Sequence, residues 1–318
     1  MLHKTDLPKT LGYIPKKWLS ISSLKEYARC PFKFMLSSGS RLRPPGTRSA
    51  FDFGTALHKA LPMVLINEPQ KAFEAFMDCW DEDLNDAKRN PRRALETLNE
   101  FSRVHNPATS LYDIMEPPQG ILNVDDKISD YEIPFAIDIG LPGGIPLVGR
   151  IDALVKLRDT GEIFPLDWKT TSQLTANIVE GFETDPQVLG YSLAAEVITG
   201  KSIPGSIVEF IRVSTSKNEI LPKPYRVPRF QVQSFIEWAR YIGTQILASE
   251  ERGYFQQDWS ACYPYPQFGS HGFQCDYMDF CRTKEPETML PMFNRSEERP
   301  FDLALEKLTE KKEIPNVQ

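Results

Sequence analysis

Apolar residues recur at helical spacing in the first third of the chain, then alternate or run together in the middle third. In WLSISSLKEYARCPFKFML (18–36), Leu24, Tyr27, Ala28 and Phe32 recur at helical spacing, and Ser20 and Ser22 are candidate N-caps. Pro31 lacks the N–H a helix interior needs, so the segment is predicted to break and restart there. Residues 51–66 read as a second helix, with Thr55 a candidate cap and His58 in its first turns. Residues 70–87 and 92–103 show further amphipathic periodicity. After Pro117-Pro118 the texture changes. Residues 131–141 alternate as a strand does, and 146–157 and 162–170 read as two more. The last two are joined by Arg158-Asp159-Thr160-Gly161, a hairpin signal. Residues 185–200 predict a helix closed by Gly200, 206–215 a strand, and 229–253 a long helix closed by Gly253.

Helices followed by strand, strand, strand, helix, strand and helix give an α/β (α+β) class, a mixed central β-sheet flanked by helices. The chain then divides into a helical N-terminal region (1–117), a core (118–258), a cysteine-rich segment (259–283) and a tail (284–318). The tail is charged and interrupted by prolines, and is expected to be loosely attached.

A chain of 318 residues can bury a sizeable core. It contains no run of about 18 apolar residues, and its first residues lack an apolar stretch followed by a small-residue cleavage site. These features read as a cytoplasmic protein. The formal net charge of −6 argues against a protein that coats nucleic acid, although local basic patches can still hold phosphates. One patch is 41–48, with Arg41, Arg43 and Arg48; another is 88–93, with Lys88, Arg89, Arg92 and Arg93. Solvated loop charge accounts for either equally well. Five cysteines, an odd number, argue against a disulfide framework. Cys262, Cys275 and Cys281 lie close enough together to suggest metal or cluster ligation, whereas Cys79 fits a helix core.

The 158–161 turn carries the chemistry. Symmetric pairing about it sets Asp152 opposite Asp167 and Arg150 opposite Lys169. Side chains alternate along a strand, so Lys169 shares the face of Asp167. Opposed carboxylates repel unless a cation lies between them. Hard oxygen ligands suit Mg²⁺ or Mn²⁺, which can polarise a phosphodiester and acidify a water. Lys169 can orient that water or share developing negative charge. An ordinary charged surface hairpin is the plain alternative, but both aspartates sit inside apolar runs, where charges need partners.

Three further patterns join the hairpin's own, Gly149-Arg150-Ile151-Asp152 with Asp167-Trp168-Lys169-Thr170, in a fixed order. They are SISSLKEYARCPFKF (20–34) and Gly54-Thr55-Ala56-Leu57-His58 before it and Gln187-Val188-Leu189-Gly190-Tyr191 after it. Together they resemble the PD-(D/E)XK nuclease superfamily, in its RecB-like branch, which includes CRISPR-adaptation nucleases and phage exonucleases. The resemblance implies a restriction-endonuclease-like core spanning 118–258. It implies that His58 joins Asp152 and Asp167 as a metal ligand, and that Gln187 and Tyr191, one helical turn apart, position the substrate or the lysine. It also implies that Cys30, Cys262, Cys275 and Cys281 hold a [4Fe-4S] cluster. Cys262 and Cys275 are spaced more widely than a compact pair, which leaves zinc or unligated cysteines open.

The expected activity is Mg²⁺- or Mn²⁺-dependent exonucleolytic cleavage of DNA in recombination, repair or phage replication. Single-stranded ends are the expected substrate. Arg41, Arg43 and Arg48 would hold DNA, with Phe51 and Phe53 available to stack on bases. A non-catalytic binding subunit would have been free to lose the acidic residues and the lysine. A metallohydrolase for small phosphates would be indifferent to DNA length.

Overall fold

A computed structural model describes residues 7–45, 49–118, 131–262 and 275–296; for residues 49–51 and 82 it describes the backbone alone. The longer helices are Ile21–Arg29 (α1), Ser49–Leu65 (α2), Pro69–Met77 (α3), Pro91–Val104 (α4), Pro186–Thr199 (α5) and Arg229–Arg252 (α6). The principal strands are Tyr112–Ile114 (β1), Ile133–Ile137 (β2), Leu147–Ile151 (β3), Ala153–Leu157 (β4), Ile163–Thr171 (β5), Gly205–Arg212 (β6) and Glu219–Arg226 (β7). The class is the expected mixture of helices and sheet. The chain divides into two units, one from residues 1–46, 136–148 and 236–318, the other from 47–135 and 149–235.

The 47–135/149–235 unit is built on a five-stranded mixed sheet of order β1-β4-β5-β6-β7. Only the β5–β6 pairing in it is parallel. One face carries a core in which Phe53, Leu57, Phe76, Leu98 and Phe101 from α2, α3 and α4 meet Val155, Phe164, Leu166 and Trp168 from β4 and β5. Helix α5 packs against β5 and β6. Coverage on both sides explains why Phe164 to Trp168 are all buried, Asp167 included.

Residues 146–157 do not form one strand. The chain bends at Asp152: β4 stays in the five-stranded sheet, while Leu147 and Val148 of β3 pair in parallel with Leu19 and Ser20. Arg150 is therefore not opposite Lys169. It pairs instead with Glu132, Nε to Oε2 at 2.8 Å. Helix α2 begins at Ser49, so Thr55 lies inside the helix and not at its N-cap. The periodicity of 70–87 survives as helix only to Met77. Strands β1 and β7 were not expected; β7 contains Pro222 and Pro224, which an edge strand tolerates.

In the other unit, Ser20 caps α1 through a capping box: its hydroxyl accepts from Ser23 N, and Ser23 Oγ accepts from Ser20 N. The expected break at Pro31 follows. Cys30 caps the short helix Pro31–Phe34, which continues into a π-helical turn, Met35–Gly39. Tyr27 OH donates to the Gln245 carbonyl of α6 at 2.8 Å. Part of the tail is docked rather than loose, because Asn294 and Arg295 pair antiparallel with Arg43 and Leu42. Residues 297–318 lie outside the described residues.

Candidate active site

The β4–β5 hairpin sets the site. Its register pairs Ala153 with Leu166 and Leu154 with Pro165, so Asp152 enters opposite Asp167, as the turn geometry required. Asp152 lies at the bend, outside the ladder, and its Oδ2 accepts from the main-chain N–H of Trp168 at 2.8 Å. His58 comes from α2, with Nδ1 3.4 Å from the same oxygen. Lys169 Nζ donates to Asp167 Oδ1 at 2.8 Å. Gln187 Nε2, from the first turn of α5, donates to the same oxygen at 3.1 Å and lies 2.9 Å from Tyr191 OH. All six residues expected here, His58, Asp152, Asp167, Lys169, Gln187 and Tyr191, are thus gathered at one place.

Of the two buried carboxylates, Asp152 is well compensated and Asp167 is not. Burial pushes Asp167 up to about 6 against the pull of Lys169, and Asp152 adds repulsion. Burial also opposes ionisation of Asp152, but His58, Lys169 and the Trp168 N–H outweigh it and hold its carboxyl below the usual range. Burial alone would lower both His58 and Lys169; the two aspartates overcome it and raise them. Asp167 Oδ2 is buried and accepts no well-formed hydrogen bond, although Lys169 Nζ is 2.7 Å away. Burial, with the aspartates beside it, raises Tyr191 well above its usual value, so its hydroxyl stays protonated.

Among the described residues, no three His, Cys, Asp or Glu side chains have their ligand atoms drawn together to metal-holding distance. The polar atoms of His58, Asp152 and Asp167 are turned to one another and to Trp168, Lys169 and Gln187. The donor set nevertheless fits a divalent cation. An under-bonded buried carboxylate oxygen, a second carboxylate and an imidazole are hard-to-borderline ligands, and a positive charge would relieve their repulsion.

The glycine of the Gly149–Asp152 pattern has a steric cause. A side chain at Gly149 would place its Cβ 2.5 Å from Phe135 Cζ, and the Phe135 ring packs edge-on against Tyr191. The Glu132–Arg150 pair beside the site was not among the expected features. Burial pushes Glu132 up to about 7, with Arg150 pulling it down and Asp152 pushing it further up. The signal available was a glutamate directly ahead of the apolar run Ile133-Pro134-Phe135. A groove of about 560 Å³ beside β7, lined among others by Val179, Glu183, Lys223 and Tyr225, contains none of these residues.

The four cysteines implied as cluster ligands all lie in the other unit and form no disulfide. Cys30 Sγ accepts from Lys33 N at 3.4 Å, and Cys275 N donates to the Cys262 carbonyl at 3.1 Å. Burial pushes the Cys281 thiol up to about 12, with Cys262, Cys30 and Cys275 all contributing. The four are therefore neighbours, although not at metal-holding distances.

Arg43 is engaged structurally, its Nη1 donating to the Ser37 carbonyl at 2.9 Å. Arg41 adopts φ 56° and its carbonyl accepts from Ser296 N at 2.9 Å, while Arg48 lies outside the described residues. In the other basic patch, Arg89 pairs with Asp86, and Arg92 and Arg93 with Glu96, so acids beyond the patch offset its charge. Phe53 is core, packed edge-on against Phe76 and Trp80, and is not available for stacking on bases. The side chain of Phe51 lies outside the described residues.

The family description of the PD-(D/E)XK nuclease superfamily matches residues 18–282, and the chain belongs to that superfamily. Its members generally use divalent metal ions and act on DNA. No curated relative matches. Among solved structures, a protein of Eubacterium rectale named as a candidate exonuclease is similar at 10% identity and a TM-score of 0.45, over 83% of this chain and 92% of its own. A second, SSO0001, is similar at 11% identity and a TM-score of 0.31, over 76% and 83%. Among the described residues, no helix is long and apolar enough to cross a membrane.

Proposed function

We propose that this chain is a Mg²⁺- or Mn²⁺-dependent deoxyribonuclease that degrades DNA from single-stranded ends, in recombination, repair or phage replication. The observation that carries the reading is the meeting of Asp152, Asp167 and Lys169 beside His58, with one buried carboxylate oxygen lacking a hydrogen bond. Asp152, Asp167 and His58 would hold the cation. When bound, a divalent ion supplies Lewis-acid polarisation of the phosphodiester and acidifies a water. Lys169, anchored on Asp167, presents its ammonium where negative charge develops and orients the attacking water. Gln187 holds Asp167 from the α5 side, and protonated Tyr191 supports Gln187. Preference for single strands and for ends rests on the family resemblance.

The test is incubation of 5′- and 3′-labelled single- and double-stranded DNA with the protein and Mn²⁺. Short products released progressively from one end of single strands are expected. Internal fragments alone would replace the exonuclease reading with an endonuclease one, and intact DNA would remove the catalytic reading.

The reading extends to the cysteines. Cys30, Cys262, Cys275 and Cys281 offer the four sulfur donors of a [4Fe-4S] cluster, and their mutual proximity supports it. Protein purified without oxygen is expected to be brown and to carry about four irons per chain, the content of such a cluster. Zinc, or no metal, in that preparation would overturn the cluster.

A further inference from the structure

Glu209 sits in the middle of β6, in the apolar run Ile207-Val208-Glu209-Phe210-Ile211, and is fully buried. A carboxylate there is costly unless hydrogen bonds compensate it. Three side chains meet it. Tyr112 OH donates to Oε2 at 2.6 Å, and Trp168 Nε1 donates to the same oxygen at 3.0 Å. His105 Nε2 lies 2.6 Å from Oε1, and its Nδ1 lies 3.3 Å from Ser110 Oγ. Burial and the neighbouring carboxylate raise Tyr112 well above its usual value, so it remains a donor.

Trp168 links this network to the candidate metal site. It stands between Asp167 and Lys169 and is paired with Glu209 across the parallel β5–β6 ladder. Its indole lies in the core that α2 covers. Its other contacts reach two candidate ligands. The main-chain N–H of Trp168 holds Asp152 Oδ2, and the indole packs edge-on against the His58 ring, with centroids 5.9 Å apart. An indole free to tilt would let the His58 ring turn away from Asp152, whose Oδ2 it meets at 3.4 Å. Stability alone does not call for this network, since apolar residues of similar volume at Glu209 and its polar partners together would fill the same space without a buried charge.

We propose that Glu209 is a positioning residue of the metal site: by fixing the Trp168 indole it sets the orientation of the His58 ring, and so the His58–Asp152 pair. The proposal rests on those residues being metal ligands, and follows the general behaviour of partners that orient ligands from outside a metal's own shell. The test is calorimetric titration of Mn²⁺ into the unaltered chain and into Glu209→Gln, Glu209→Met and Trp168→Phe, with circular dichroism confirming that each is folded. Glutamine keeps an acceptor for Trp168 and Tyr112 and offers its amide to His105, so Mn²⁺ affinity is expected to be unchanged. Methionine removes the acceptor, and phenylalanine removes the indole N–H while keeping a ring. Both are expected to weaken Mn²⁺ binding by about 10- to 100-fold. Affinity unchanged in both, with only a lowered melting temperature, would overturn the proposal and leave the network a purely structural one. If Glu209→Met does not fold, Trp168→Phe decides. Absence of Mn²⁺ binding by the unaltered chain would overturn the metal-site reading itself.

Discussion

Asp167→Asn is expected to leave the chain folded while lowering DNA hydrolysis about a thousandfold or more, roughly 4 kcal/mol of transition-state stabilisation. The amide keeps the volume of the side chain and an acceptor oxygen for Lys169 and Gln187, both of which meet Oδ1. What it removes is the charge on Oδ2, the buried oxygen that lacks a hydrogen bond and fits a cation. Burial pushes this carboxyl up to about 6, so its ionisation near neutral pH is costly, but it also compensates the buried Lys169 ammonium. A neutral replacement removes both contributions, which oppose one another, and stability is expected to change little. Single-turnover rates on a labelled strand with Mn²⁺ measure the first effect and urea unfolding the second. A rate within about tenfold of the unaltered chain would take Asp167 out of the mechanism.

Gly205→Ala is expected to be the most damaging small change to stability, at about 3 kcal/mol or more. Gly205 opens β6 opposite Arg226, and an added Cβ would lie 1.8 Å from the Tyr225 carbonyl oxygen. That neighbour is backbone, so no side-chain rotation relieves the clash. Tyr225 is itself pinned, because its hydroxyl donates to the Val179 carbonyl at 2.6 Å. Relief would need β6 and β7 to shift apart. The measurement is the urea midpoint at constant slope. A loss under about 1 kcal/mol would mean that β7 moves readily.

The hairpin was readable because a short turn between two apolar runs fixes its own register, and the same geometry brought Asp152 opposite Asp167. The departure of β3 at Asp152 was not. Residues 146–157 run apolar through that point, and the partners that divide them, Leu19 and Ser20 on one side and β5 on the other, are distant in sequence. Strand β7 was hidden by its prolines, which read as loop until its edge position is known. The true start of α2 was hidden in a segment that resembles a loop because it follows Pro44-Pro45-Gly46. Glu209 carried a signal that went unused: a lone acid inside an apolar strand needs buried partners. Which partners they are, His105 and Tyr112 from far upstream and Trp168 from the neighbouring strand, is a matter of tertiary pairing alone.

The unit that carries Cys30, Cys262, Cys275 and Cys281 is assembled from three separate stretches, residues 1–46, 136–148 and 236–318. Translation delivers them in that order, with the whole of the other unit's sequence interleaved. When α1 leaves the ribosome, Gln245 and Ser249, which meet Tyr27, have not yet been polymerised. The five-stranded sheet can close while the nascent chain is still being extended, but Tyr27, and Phe34 whose ring neighbour is Phe255, must wait with their apolar surface uncovered. Folding during synthesis would therefore run from the middle outwards, and the earliest helix would be the stretch most exposed to chaperone capture.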